Sequence, residues 1–87
     1  MNEGTMNESK NMNEVERLRR ETHAAICQEW EANAPTEVRK GVPPSRIIAA
    51  IAARYGMTAQ GVETVLRKGG VYEGARQYKE EILRTKP

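Results

Sequence analysis

Apolar residues recur at three- and four-residue steps along this chain, and the first such stretch predicts a long amphipathic helix. The helix is expected to begin at Asn13, whose side chain can cap the first turn, with Glu16 three residues later as a capping-box carboxylate. It is expected to end near Asn33, because Pro35 disfavours helical geometry in the residue before it. The stripe comprises Val15, Leu18, Thr22, Ala25, Ile26 and Trp30.

The residues before this stripe, 1–12, are polar and show no apolar period. Such a segment cannot offset the entropy lost on ordering, so we expect a flexible tail. The triplet Met-Asn-Glu starts at Met1, Met6 and Met12 with unequal spacing, which leaves open whether residues 1–12 are native or contain an alternative translation start. The folded domain is expected to span residues 13–87.

The run KGVPPS, residues 40–45, breaks the chain before two further helical patterns. The second helix is expected over 45–55, and Gly56 is expected to end it in the left-handed conformation. Thr58 is then the expected N-cap of a third helix over 58–68. The inward positions of these two helices are Ile47, Ile48, Ile51, Ala52, Tyr55, Val62, Val65 and Leu66.

Spaced apolar residues in the last part of the chain, Ala75, Tyr78 and Ile82, indicate a short C-terminal helix over 74–84. Sustained period-two alternation, the pattern of a strand with one buried face, occurs nowhere in the sequence. The predicted fold class is therefore all-α: a small helical domain with a long N-terminal helix, a pair of hinged helices at 45–68 and a short last helix.

The hinged pair has the features that a helix-turn-helix requires. Ala52 supplies the small residue at which two helices can cross closely, and Gly56 supplies a tight turn four residues later. The apolar residues that flank this turn are Ile51, Tyr55, Met57, Val62 and Val65. Residues 47–66 thus resemble the helix-turn-helix family of small bacterial, phage and mobile-element DNA-binding proteins. An ordinary helical hairpin explains the apolar spacing equally well and stays open.

The resemblance implies that helix 58–68 lies in the major groove of double-stranded DNA. Gln60 then faces the adenine edge, and Glu63 accepts from the cytosine amino group. The expected base-reading residues are Thr58, Ala59, Gln60, Glu63 and Thr64. The expected phosphate-contacting residues are Arg39, Lys40, Arg46, Arg67 and Lys68. Gly61 departs from a strong recognition helix, since an interior glycine costs about 1 kcal/mol relative to alanine.

The distribution of charge is compatible with a polyanionic partner. Residues 1–37 carry four basic groups against eight glutamates, whereas residues 38–87 carry ten against four. The formal net charge of +2 therefore conceals an acidic half followed by a basic half. A solvated helical surface produces the same split, so this pattern alone is weak.

The rest of the composition narrows the chemistry. The chain has no Asp, and His23 and Cys27 are its only histidine and cysteine, so it cannot assemble a Ser-His-Asp triad or a histidine-rich metal site. His23 and Cys27 share a helix face but supply two ligands at most. We therefore expect no enzymatic activity, no cofactor, no metal and no small-molecule ligand.

The compartment and the oligomeric state follow from two further features. A single thiol, with no apolar N-terminal run and no stretch near 20 apolar residues, indicates a cytoplasmic protein without a membrane segment. The N-terminal stripe approximates a heptad seam that either covers the helix-turn-helix core or forms a homodimer. The residues predicted for this partner surface are Val15, Leu18, Thr22, Ala25 and Trp30.

The sequence therefore predicts a sequence-specific DNA-binding protein, a small transcriptional regulator whose target is double-stranded DNA. Two alternatives stay open. The first is a protein-interaction module of helix-turn-helix shape, an adaptor or phage-type inhibitor, whose basic residues would be scattered while the stripe from Val15 to Trp30 stays exposed. The second is an RNA-binding module, since the same charge would serve it.

Overall fold

The computed structural model describes the backbone of residues 3–85 and the side chains of residues 14–85. These residues form four helices and no strand: α1 (Glu3–Arg39), α2 (Pro44–Tyr55), α3 (Ala59–Lys68) and α4 (Ala75–Arg84). The predicted all-α class is confirmed. The second, third and fourth helices lie within a residue of their predicted bounds.

The first helix is longer than the sequence indicated. It begins at Glu3, so it includes residues 3–12 that were predicted as a tail, and it continues past the predicted end at Asn33 to Arg39. Glutamate, methionine and lysine favour helix, and adding residues to an existing helix is easier than starting one. Pro35 is tolerated inside α1 because Ala34 and Val38 on either side are buried, so tertiary packing offsets the missing hydrogen bond.

The core lies against the C-terminal third of α1, where the residues facing it are spaced four apart. These residues are Ile26, Trp30, Ala34 and Val38. Trp30 is fully buried, and its ring centroid lies 5.3 Å from that of Tyr72 and 4.8 Å from that of Tyr78. Trp30 thus anchors α1 to the C-terminal part of the chain.

The three rings of the aromatic cluster, Trp30, Tyr72 and Tyr78, are buried. The Trp30 indole Nε1 is buried and meets no hydrogen-bond acceptor among the described residues, so this side chain contributes as packing surface. Burial, assisted by the charge of Glu31, raises the pKa of Tyr78 to about 12. Burial also raises the pKa of Tyr72. Both phenols therefore stay neutral through the physiological range.

Cys27 of α1 lies against Gly69, the residue that ends α3. The Cys27 thiol donates to the carbonyl oxygen of Val65 at 3.8 Å. A Cβ atom built on Gly69 would lie 2.6 Å from Cys27 Sγ, although the backbone of Gly69 is right-handed and unstrained. Gly69 is thus a steric requirement of the contact between these two helices.

We expect Gly69→Ala to lower the free energy of unfolding by about 1–3 kcal/mol, because the added methyl overpacks this contact. Cys27→Ala in the same chain removes the clashing sulfur and should restore much of the stability. Urea denaturation of the wild type, both single variants and the double variant measures this coupling. If the changes in the free energy of unfolding of the two single variants simply added in the double variant, the contact between Cys27 and Gly69 would be contradicted.

Candidate nucleic-acid interface

The turn between α2 and α3 has three residues, Gly56 to Thr58. Gly56 adopts φ 64° and ψ 34°, the left-handed conformation predicted for it. The N–H groups of Gly56 and Met57 both donate to the carbonyl oxygen of Ala52, the second at 2.9 Å. Ala52 is also buried, so the small residue at the expected helix crossing is hydrogen-bonded directly to the turn that Gly56 forms.

The start of α3 is capped by a side chain. The Thr58 Oγ1 accepts a hydrogen bond from the N–H of Gly61 at 2.9 Å. A Cβ atom on Gly61 would lie 3.1 Å from that oxygen and 3.3 Å from the Met57 methyl group. The glycine that weakened the predicted recognition helix therefore leaves space for the cap and for Met57.

One face of α3 is left exposed. Ala59, Gln60, Thr64 and Lys68 are exposed, while Val62, Val65 and Leu66 are buried on the opposite side. The Thr64 hydroxyl donates to the Gln60 carbonyl oxygen at 3.0 Å. Of the predicted base-reading residues, Ala59, Gln60 and Thr64 form an open surface, and Thr58 uses its oxygen for the cap.

Arg67 and Glu63 are engaged with each other. The Arg67 guanidinium donates from Nε and Nη2 to Glu63 Oε2, at 3.2 and 2.7 Å, and from Nη1 to the Glu73 carbonyl oxygen at 3.3 Å. It also lies 5.6 Å from the centroid of the Tyr72 ring. Hydrogen bonding to Glu63 raises the pKa of Arg67. These two residues, predicted for phosphate and base contact, are thus held in a local network.

The other predicted phosphate contacts are dispersed. Arg39 donates to the Thr85 carbonyl oxygen at 3.1 Å, and Lys40 pairs with Glu37 at 3.6 Å. Arg39 lies about 18 Å along α1 from Cys27, the contact point with α3, at 1.5 Å per residue, and Lys40 follows it directly beyond the end of the helix. Arg46 is exposed in the first turn of α2 and, like Lys68, makes no ion pair among the described residues. The structure does not bring the five cations into one patch.

A contact that sequence reasoning missed ties α1 to α2. Glu29 pairs with Arg54 and also accepts from the Tyr55 hydroxyl at 3.3 Å. The partners are about 25 residues apart in sequence, so no local pattern signalled them. The contact fixes the C-terminal end of α2, from which the turn to α3 departs.

The predicted partner stripe on α1 does not form one surface. Val15 and Leu18 are 53% and 59% exposed, Thr22 and Ala25 are half-buried, and Trp30 lies in the core. Trp30 therefore has to be removed from the partner surface. The interpretation that the stripe covers the core is also wrong for Val15 and Leu18, which point to solvent.

The remaining candidate chemistry is sparse. Burial raises the pKa of the half-buried Cys27 thiol, with the Glu31 charge as a second cause, which disfavours the thiolate that a metal would need. Within residues 14–85 no three acidic, histidine or cysteine side chains lie close enough to hold a metal ion. None of the described helices is long and apolar enough to cross a bilayer.

No protein-family model, curated protein or solved structure matches this chain. Its own geometry is therefore the basis for any assignment of function.

Proposed function

We propose that this chain is a sequence-specific DNA-binding protein, a small cytoplasmic transcriptional regulator, in which α2 and α3 form a helix-turn-helix. The observation that carries the proposal is the three-residue turn with Gly56 at φ 64°, followed by a helix whose outer face is open. In this proposal α3 enters the major groove, and Ala59, Gln60 and Thr64 meet the base edges.

In the proposal, the DNA phosphates are contacted by basic side chains that make no ion pair among the described residues. Lys68 in the last turn of α3 and Arg46 in the first turn of α2 are both exposed. The capped first turn of α3 adds N–H groups that can hold a phosphate oxygen. Arg39, Lys40 and Arg67 are occupied by the contacts described above, so their part in DNA binding is smaller than the sequence predicted.

The test is a fluorescence-anisotropy titration against random-sequence duplex DNA at several salt concentrations. The double variant Arg46→Ala with Lys68→Ala should bind more weakly, and its plot of log affinity against log salt should be shallower by about 2, near 1 for each phosphate that is no longer neutralised. The matched control is Arg20→Ala with Lys79→Ala, which removes an exposed arginine and an exposed lysine from α1 and α4. The control should bind like the wild type.

Equal slopes for the two double variants would contradict the proposed face. Absence of salt-dependent binding to any duplex would reject DNA as the partner. Tighter binding to single-stranded or duplex RNA of equal length would favour the RNA-binding module. Once duplex binding is measured, selection from a random-site library defines the target, and Gln60→Ala should relax the preference at one position.

A protein-docking function is the second candidate, and a groove between α1 and α2 favours it. The groove has a volume of about 380 Å³, with Val42, Ile47 and Ala50 on its apolar side and Arg46 and Arg54 at its edges. The dispersed cations and the exposed Val15 and Leu18 also match the pattern expected of this class, whereas the buried Trp30 does not. Bulky Ala50→Trp should abolish such docking, whereas Gln60→Ala, on the outer face of α3, should leave the docking intact.

A further inference from the structure

The described part of α1 that precedes the core, residues 14–21, is a helical segment that no other described element covers. Residues 14–21 are all exposed, and Ile26 is the first buried residue of the chain that the structure describes. Residues 14–26 extend about 18 Å along the helix axis at 1.5 Å per residue. No tertiary contact stabilises residues 14–21, so burying an apolar face of this segment against a partner adds stability that the monomer lacks.

That apolar face is distinct from the one that packs on the core. Val15, Leu18, Thr22 and Ala25, here called the α1 seam, follow the alternating three- and four-residue steps of a heptad repeat. With about 100° between successive residues, the centre of the seam lies about 120° around the helix from the stripe that runs from Ile26 to Val38. The first half of the seam, Val15 and Leu18, therefore faces solvent, whereas Thr22 and Ala25 are half-buried where α1 approaches the domain.

We propose that the α1 seam pairs with the same seam of a second copy of this chain, as a short parallel two-stranded coiled coil in register. Val15 and Thr22 then occupy a positions, and Leu18 and Ala25 occupy d positions. β-Branched residues at a with leucine at d favour two strands in a parallel pair. Only two heptads contribute, so the pairing is weak and reversible.

The charges beside the seam select the second copy and its direction. In a parallel pair the g residue of one helix meets the following e residue of the other, which places Glu14 against Arg19 of the second copy, twice by symmetry. In the antiparallel register that aligns Leu18 with Thr22, Glu21 meets Glu21 and Arg19 meets Arg19. Glu14 and Arg19 are exposed, and the ion pair that Glu14 makes with Arg17 of its own helix, at 3.6 Å, is a surface contact that leaves Glu14 accessible to a partner.

The pairing leaves room for both domains. The core stripe begins at Ile26, about 60° from the seam centre, and turns to about 180° from it at Val38, so each domain diverges from the partner helix along α1. A parallel pair then carries two α2–α3 units at the same end, related by a two-fold axis. The DNA site would then have two symmetric halves. This consequence rests on the proposed function, whereas the pairing itself rests on α1 alone.

The pairing is tested without DNA by sedimentation equilibrium of the full chain over a wide range of protein concentration. The wild type should show a reversible monomer–dimer equilibrium, and Leu18→Glu should weaken it more than about tenfold, because it places two carboxylates in the apolar seam. The matched control is Ala24→Glu, which adds the same charge at an exposed position outside the seam and should dimerise like the wild type. Circular dichroism checks that both variants stay folded.

The direction is tested by oxidation of Leu18→Cys in a Cys27→Ser background. A parallel pair in register places the two residues 18 face to face, so a disulfide-linked dimer should form rapidly, whereas Ala24→Cys in the same background should not cross-link. A chain that stays monomeric at every concentration, or dimerises equally with Leu18→Glu, overturns the pairing and assigns the seam to a different partner. A dimer without the residue-18 disulfide overturns the parallel register.

Discussion

Trp30→Ala is expected to lower the free energy of unfolding by about 3–5 kcal/mol, the usual cost of removing a fully buried large aromatic side chain. Trp30 is the largest fully buried side chain, and it contacts Tyr72 and Tyr78, so its removal separates α1 from α4 and from the α3–α4 connection. A domain of this size has about 5–15 kcal/mol of stability in total. Urea denaturation followed by circular dichroism should show a large fall in the transition midpoint.

Two control variants test whether the loss of stability comes from the buried packing that Trp30 provides. Trp30→Phe keeps most of the packing and removes the indole N–H that has no acceptor, so it should cost clearly less than alanine. Leu18→Ala removes a leucine that is 59% exposed, and at monomeric concentration it should change stability by less than about 0.5 kcal/mol. A Trp30→Ala protein as stable as the wild type would contradict the central position of this residue.

Ala59→Glu is expected to weaken DNA binding at least about thirtyfold, because a carboxylate brought against the DNA backbone costs about 2 kcal/mol or more. Ala59 is exposed in the first turn of α3 and is one of the residues that the proposal places at the base edges. A negative charge is favourable at a helix N-terminus, which offsets the small decrease in helix propensity relative to alanine. The variant should therefore fold normally while binding DNA weakly.

The chain offers a matched control for this substitution. Ala75 is also exposed and also begins a ten-residue helix, α4, so Ala75→Glu makes the same chemical change in the same helical position outside the proposed interface. Anisotropy titrations of both variants against one duplex at fixed salt compare them directly. If Ala75→Glu weakened binding as much as Ala59→Glu, net charge and not the face of α3 would control affinity.

The hinge between α2 and α3 was predictable because its signals are local. A glycine that adopts positive φ, a threonine that caps the following turn and the apolar spacing on either side all act within a few residues. The structure places Gly56 at φ 64° and bonds Thr58 to Gly61, as those rules indicate. The same locality explains why the bounds of α2, α3 and α4 were close to their predicted positions.

The extent of α1 was less predictable because competing forces set it. Pro35 is a strong local signal for the end of a helix, yet burial of Ala34 and Val38 outweighs it. The heptad pattern that runs from Val15 to Trp30 combined two faces of one helix, since residues at mixed three- and four-residue steps drift around the axis. Sequence spacing alone does not separate a seam that faces solvent from a stripe that faces the core.

The candidate site likewise has features that the sequence determined and features that only the tertiary structure decided. The sequence by itself determined that helix 58–68 has a polar outer face and a capped start, because helical period and capping depend on neighbouring residues. Only the tertiary structure decided which of the predicted phosphate-contacting side chains are free. Arg67 meets the backbone of Glu73 and the ring of Tyr72, and Arg39 meets Thr85, through contacts that depend on how the chain returns in space.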